Sequence, residues 1–396
     1  MFDSNKKLFR YLALIIIFVV VFSAGFTIGK NQAICKVCKP ENTDFSLFWD
    51  AYNKLHQNFI SPEKIDDQKI IYGAISGMAK SLGDPYTEFF NPQQAKIFKQ
   101  DLSGSFEGIG IEIGIKKDQL TVIAPLKGTP GEKAGLRSGD LIVKINGKST
   151  SDMSVDEAVN IIRGKKGKEV TLTIFREGWK DAKDIKIVRD VINVDPVEWQ
   201  LKESDIAYIY VHQFNESLPA NFKKVAFEIL KSPAKKIVLD LRNNPGGYLE
   251  VAQDIAGWFI KQGQIVTIED FGKNRNKEQF EAKGNAALSD YPIVILINEG
   301  SASASEILAG ALRDNRNIKL IGEKSFGKGS VQEVVNLADG LSFIKITIAK
   351  WLTPKGNLIS EVGLNPDVKI DITDDDIKLN KDPQLDKAIE IVRGLK

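Results

Sequence analysis

Histidine and cysteine are scarce in this chain, with two of each among 396 residues. Two histidines exclude a histidine-rich metal site. A Ser-His-Asp enzyme would have to use His56 or His212, and both read as structural, one within an amphipathic helix and one at a strand end. Cys35 and Cys38 form a single C-x-x-C pair. A structural zinc site takes about four ligands, and no second pair exists. A lipid-modified cysteine does not fit the approach Gln32-Ala33-Ile34. The expected state of the pair is a local or intermolecular disulfide in an oxidising space. An excess of charge is also missing: 54 Lys+Arg face 52 Asp+Glu, which argues against a nucleic-acid-binding surface.

The chain is not short of apolar residues. They make up 43% of it, enough for real cores, and the length suggests two or three domains. Residues 11–28 form an apolar run of roughly 18 residues, the length that can cross a bilayer. Lys6, Lys7 and Arg10 precede it, so the N-terminus should stay in the cytoplasm. A cleaved signal peptide is the rival reading. No clean small-x-small cleavage site follows, which favours an uncleaved single-pass anchor with the rest of the chain outside the cytoplasm.

Beyond the anchor, residues 45–60 and 70–82 have helical periodicity. Gly83-Asp84-Pro85 stops the second helix, and Asn91-Pro92 starts another, with proline at the first helical position after an asparagine cap. Residues 106–189 change texture, with short β-rich runs at 110–115, 120–123, 141–145, 170–176 and 185–188, and one helix at 154–163. From Val191 the texture changes again. Strands are expected at 207–211 and 237–241, and helices at 221–230 and 248–259. A polar, mobile loop is expected at 271–290, then paired strands at 334–336 and 343–349 and an amphipathic helix at 383–395. No internal repeat is evident.

The chemistry concentrates in residues 291–332. A buried strand at 292–298 leads through Glu299-Gly300 and a run of small residues into a helix, and a second strand at 318–321 precedes the glycine-flanked Lys328. A hydroxyl at a strand-to-helix turn with a lysine after the next strand is a layout for a nucleophile and its base. The rival is a phosphate-binding loop over residues 322–328. That motif needs Ser or Thr directly after the lysine, and Gly329 stands there. The glycine pair Gly246-Gly247, leaving a buried strand for a helix, can expose amides to an oxyanion or simply make a turn.

Two family resemblances rest on these residues. Gly108-Ile109-Gly110-Ile111, then Gly128-Thr129-Pro130, Ala134-Gly135-Leu136, Gly139-Asp140 and Ile145-Asn146-Gly147, resemble a PDZ domain. The resemblance implies a domain that binds the C-terminal end of a peptide by strand addition, with Gly108 to Ile111 holding its carboxylate and Arg137 a further contact. Gly300-Ser301-Ala302-Ser303-Ala304-Ser305-Glu306, Phe326-Gly327-Lys328-Gly329 and Val331-Gln332 resemble the C-terminal processing peptidases, also called tail-specific proteases. Gly83-Asp84-Pro85-Tyr86-Thr87, Leu241-Arg242-Asn243-Asn244-Pro245-Gly246-Gly247 and Gly363-Leu364-Asn365-Pro366-Asp367 match the same family.

Carried over by position, the resemblance implies Ser303 as nucleophile, Lys328 as general base and Gln332 as the residue orienting it. Oxyanion donors would be the amides of Ala304, Gly246 and Gly247. Ser301 and Ser305 would be structural, as would Asp314, since a nearby carboxylate would hold the proton on the lysine. Phe326 and Val331 are available as apolar walls that depress the lysine pKa.

The expected organisation is an α/β, ClpP/crotonase-like serine protease core with an inserted PDZ domain, an N-terminal helical region and a transmembrane anchor. Its parts would be 1–40 (cytoplasmic tip, anchor and linker), 41–104 (helical region), 105–190 (PDZ domain) and 191–396 (protease core with C-terminal helix). The implied substrates are exported proteins with exposed apolar C-termini. No metal, cofactor or nucleic acid is expected, and relatives imply a homo-oligomer formed through the terminal helices. Two alternatives are a PDZ scaffold with a decayed core and a signal-peptide-type Ser-Lys protease.

Overall fold

The computed structural model describes residues 15–23 and 43–395, apart from 117, 118, 127, 152, 361, 374, 377, 378 and 380. Of the apolar run at 11–28, residues 15–23 are helical and the ends lie outside the described residues. Among the described residues no helix is long and apolar enough to cross a membrane. Cys35 and Cys38 lie outside the described residues as well.

The chain divides into two compact units, residues 1–77 with 336–340 and residues 78–335 with 341–396. Helix α1 (Ser46–Asn58) lies in the first and helix α2 (Asp67–Lys80) begins there; they match the two expected helices. Asp67 joins them, accepting from Tyr52 Oη at 2.7 Å and lying 2.9 Å from His56 Nε2. His56 is thus a surface packing residue, as expected.

The second unit opens with strand β1 (Glu88–Phe90) and helix α3 (Pro92–Ser103). Asn91 caps α3 in a reciprocal capping box with Gln94. Strands β2 (Ser105–Gly108), β3 (Ile111–Lys116), β4 (Gln119–Pro125), β5 (Leu141–Ile145), β6 (Lys148–Ser149), β7 (Glu169–Phe175), β8 (Lys183–Val188) and β9 (Asp190–Asn193), with helix α4 (Val155–Ile162), follow. Sheet order is β3-β4-β5-β7-β8, with β6 paired to β5, so β3 is an edge strand. The sheet and α4 close on a core of their own that includes Ile109, Val122, Ile145, Leu172 and Ile174.

The remaining elements are β10 (Val197–Lys202), β11 (Ile206–Val211), α5 (Leu218–Lys231), β12 (Lys236–Asp240), α6 (Leu249–Ala256), β13 (Ile265–Asp270), β14 (Glu278–Glu281), β15 (Ile293–Ile297), α7 (Ala304–Arg316), β16 (Lys319–Gly322), β17 (Ser330–Asn336), β18 (Phe343–Leu352), β19 (Val368–Lys369) and α8 (Pro383–Gly394). One sheet runs β10-β11-β12-β15-β16-β19 and is parallel from β11 to β19. Helices α5, α6 and α7 cover one face and α8 the other. That is why all five residues of β15 are buried and read as an unbroken apolar run. A second sheet, β1-β18-β13-β14 with β17 on β18, lies in the same unit.

Two expectations are corrected here. Residues 271–290 are not all loop, since β14 lies within them and pairs with β13, a strand for which the sequence reading has no counterpart. Phe326 is no wall for Lys328, because its side chain is 58% exposed.

Candidate active site

In a parallel sheet the carboxyl ends of adjacent strands open onto one crevice. Strands β12 and β15 are neighbours, so the loops after them meet there. The first loop carries Gly246 and Gly247, and the second carries Ser303. A cavity of about 430 Å³ is lined by Gly246, Gly247, Ser303, Lys328 and Gln332, among others. Residues separated widely in sequence are thus brought to one place, as the resemblance implied.

Ser303 is the N-cap residue of α7, with φ 56° and ψ −116°. A non-glycine residue in this region is strained, and such strain gathers at functional sites. The flanking serines are committed elsewhere. Ser301 Oγ donates to Leu241 O at 2.8 Å, and Ser305 Oγ donates to Asn244 O at 2.9 Å. Both are fully buried, whereas Ser303 lines the cavity.

The oxyanion donors divide. Gly246 N–H already donates to Asn244 Oδ1 at 2.9 Å, so this expectation is corrected. Gly246 contributes close approach instead: a Cβ there would lie 2.8 Å from Ser303 Cβ and 2.6 Å from Ala302 O. The amides of Gly247 and Ala304 donate to nothing among the described residues. Gly247 is equally confined, since a Cβ would sit 2.1 Å from Phe214 O.

Lys328 makes no ion pair or side-chain hydrogen bond among the described residues; its Nζ lies 5.5 Å from the ring centroid of Tyr86. Burial holds its pKa below the ordinary 10.5, and the nearby Lys345 pushes the same way against Glu88 and Glu306. Tyr86 is set by the motif before it. Asp84 accepts from the Tyr86 amide at 3.1 Å and from Thr87 Oγ1 at 2.7 Å, and Thr87 Oγ1 accepts from Thr347 N on β18. Gln332 makes no hydrogen bond with Lys328 among the described residues. Its Nε2 donates to Ser330 Oγ at 2.6 Å and weakly to Thr347 Oγ1 at 3.4 Å. Asp314 lies outside the cavity and accepts from Lys355 N at 3.0 Å, a structural role as expected.

Glu306 has a role that the sequence motif alone does not assign. It is 1% exposed, and its carboxylate accepts from Ser303 N at 2.9 Å, Lys328 N at 3.0 Å, Gly327 N at 2.8 Å and Ser325 Oγ at 2.5 Å. One buried group therefore ties the turn bearing the serine to the loop bearing the lysine. Burial pushes its pKa up while these hydrogen bonds oppose the rise. The signal was present: Ser303-x-x-Glu306 has capping-box spacing. The Gly363-Leu364 segment braces the same loop, with Leu364 N donating to Ser325 Oγ at 2.7 Å. Glu306→Ala would orphan these donors at about 1–3 kcal/mol each. The expected result is a protein that melts markedly lower and has little activity, measured by thermal denaturation and peptide cleavage.

In the PDZ-like region, the amides of Ile109 and Gly110 donate to nothing among the described residues. Ile109, Ile111, Ile113, Val159 and Ile162 line a groove of about 50 Å³ beside edge strand β3, with Gly110 at its rim. Gly108 pairs with Asp190 in the β2–β9 ladder. Arg137 stands apart from the groove, with its side chain in solvent; its amide donates to Asp140 Oδ2 at 2.8 Å and its carbonyl accepts from the Asp140 amide at 3.2 Å.

Residues 205–370 match peptidase family S41, residues 95–175 a PDZ domain, and residues 29–94 the N-terminal domain of the activating protease CtpB. The chain is 39% identical over 373 residues to the carboxy-terminal processing protease CtpA of Bacillus subtilis (strain 168), covering 93% of this chain and 78% of that one. The chain belongs to peptidase family S41. A probable CtpA-like serine protease of Staphylococcus aureus (strain COL) is also 39% identical, over 93% of this chain and 73% of that one. The photosystem II D1 C-terminal processing protease shares the fold with a TM-score of 0.53 at 29% identity, over 82% of this chain and 86% of that one. This S41 peptidase is accordingly a serine-type, carboxy-terminal processing protease with a PDZ domain and a mixed α/β structure.

Proposed function

We propose that this S41 peptidase cleaves exported proteins near their C-termini with a Ser303–Lys328 dyad. The observation that carries the reading is a half-buried lysine with no ion pair or side-chain hydrogen bond among the described residues, sharing a cavity with the one serine of its turn whose hydroxyl donates to nothing among them. In this mechanism Ser303 Oγ attacks the scissile carbonyl carbon and its proton passes to neutral Lys328 Nζ. The amides of Ala304 and Gly247 receive the oxyanion. As the C–N bond breaks, the lysine returns the proton to the leaving amine. Water, deprotonated by the same amine, then hydrolyses the acyl-enzyme ester. Gln332 would orient Lys328 after exchanging its present hydroxyl partners.

The PDZ domain would hold the substrate tail, its last residues added to the free edge of β3 and the terminal carboxylate on the amides of Ile109 and Gly110. Coupling to catalysis has a physical route. Phe98, Asp101 and Leu102 of α3 line the catalytic cavity, and Asp101 pairs at 2.7 Å with Arg163, which lines the tail groove. A tail that engages Arg163 would compete with Asp101 and so act on one wall of the catalytic cavity. The apolar run at residues 11–28, with cations before it, supports anchoring with the catalytic unit outside the cytoplasm.

Kinetics on one protein substrate, with a free apolar tail or an amidated one, test the reading. The free tail should give a KM about tenfold lower, and Val159→Asp, which puts a charge on the half-buried wall of the groove, should erase the difference. Equal KM for both tails in the unmodified enzyme would remove the PDZ domain from the proposal.

A further inference from the structure

Glu269, on β13, lines the same cavity and is only 8% exposed. Buried carboxylates are normally paired or hydrogen-bonded. Glu306 has its four donors, and Asp240 has Arg242 and Tyr208 Oη. The carboxylate of Glu269 has neither a hydrogen bond nor an ion pair among the described residues. Glu250, at the start of α6, lines the cavity beside it.

Among the described residues no cation forms an ion pair with this acid. Arg275 is bound to Glu278, and Lys345 is bound to Glu88 at 2.8 Å. Lys328 also lines the cavity but makes no ion pair with Glu269. The charges acting on it are Lys345, Glu88 and Glu306, whereas those acting on Glu269 are Glu278, Arg275 and Glu250. The cavity therefore holds an acidic group in addition to Ser303 and Lys328. Val334 and Trp351 also line it and offer apolar surface for the methylene stem of a long basic side chain.

We propose that Glu269, with Glu250, forms a subsite for a lysine or arginine side chain of the substrate, removed by one or more residues from the scissile bond. This deepens the protease reading and rests on it. The cation would complete the one buried acid in the cavity that the fold leaves unpaired. Burial and the like charge of Glu278 push the Glu269 carboxyl up to about 7, so a bound ammonium would restore its ionised form.

The test uses the full chain and tailed peptides in which each position from P4 to P4′ is in turn lysine, norleucine or glutamate. At one position away from P1, kcat/KM for lysine should exceed that for norleucine about tenfold, with glutamate poorest. In Glu269→Gln the lysine-to-norleucine ratio should fall to within about twofold, and Glu269→Lys should shift the preference toward glutamate. A ratio near one at every position in the unmodified enzyme overturns the proposal, as does a ratio that survives in Glu269→Gln. If Glu269→Gln fails to fold, Glu250→Gln must lower the ratio, and an unchanged ratio overturns the proposal too. Failure to cut any peptide would instead bring down the protease reading beneath it.

Discussion

Ser303→Ala lowers turnover on the order of 10⁴–10⁶-fold and leaves a folded protein. The side chain contributes a hydroxyl to the cavity, and alanine keeps the Cβ that packs against Gly246. The Glu306 hold on the residue 303 amide does not involve the hydroxyl and so survives. Ser301→Ala and Ser305→Ala do the opposite. Each deletes a buried hydrogen bond between the turn and the loop after β12, costing about 1 kcal/mol or more in stability. Each keeps the nucleophile and most of the activity at temperatures where the protein is folded. The three variants are separated by melting curves together with cleavage rates and labelling by a fluorophosphonate probe. Retained turnover in Ser303→Ala alongside an inactive Ser301→Ala would reverse the assignment.

Lys328→Met produces an inactive enzyme that melts at a higher temperature than the parent. The two effects have one cause. Burial depresses the lysine below its ordinary 10.5. Between the depressed folded value and the ordinary unfolded one, the unfolded chain binds the proton and the folded chain does not. Stability therefore rises with pH across that window and is lowest below it, where the buried amine must carry charge. Methionine fills the same volume without that cost. The rate follows the neutral amine, so cleavage should climb with pH through the depressed value and level off above it. Lys328→Arg should be inactive at every pH tested, because a guanidinium does not give up its proton. A pH-independent rate in the parent, or a Lys328→Met protein that melts lower at neutral pH, would remove Lys328 as the base.

Much of this was legible in the chain. The buried parallel strands show as apolar runs, the caps Asn91 and Ser154 stand where the helices begin, and the motifs around Ser303 and Lys328 name the site. What escaped had physical reasons. Strand β14 lies at a sheet edge with mostly exposed side chains, so its polar composition mimics a loop. Phe326 adjoins the lysine in sequence, yet its amide is held by Ser301 O and its ring lies toward solvent. The shelter of Lys328 comes in part from Tyr86, hundreds of positions earlier in the chain. The partners of Gln332 include Thr347, on a neighbouring strand that only the folded sheet brings near. Gly246 read as an amide donor because nothing in the sequence shows that Asn244 turns back onto its N–H.

Three of the four donors on Glu306 are main-chain amides, and those at Gly327 and Lys328 belong to the loop between β16 and β17. Such contacts are blind to which side chains the loop carries but sensitive to how many residues it has. Drift in composition at positions 323, 324 and 326 can be absorbed, whereas one inserted or deleted residue would pull the amine out of register with the hydroxyl. The spacing of this segment, more than its chemistry, is what inheritance has to preserve.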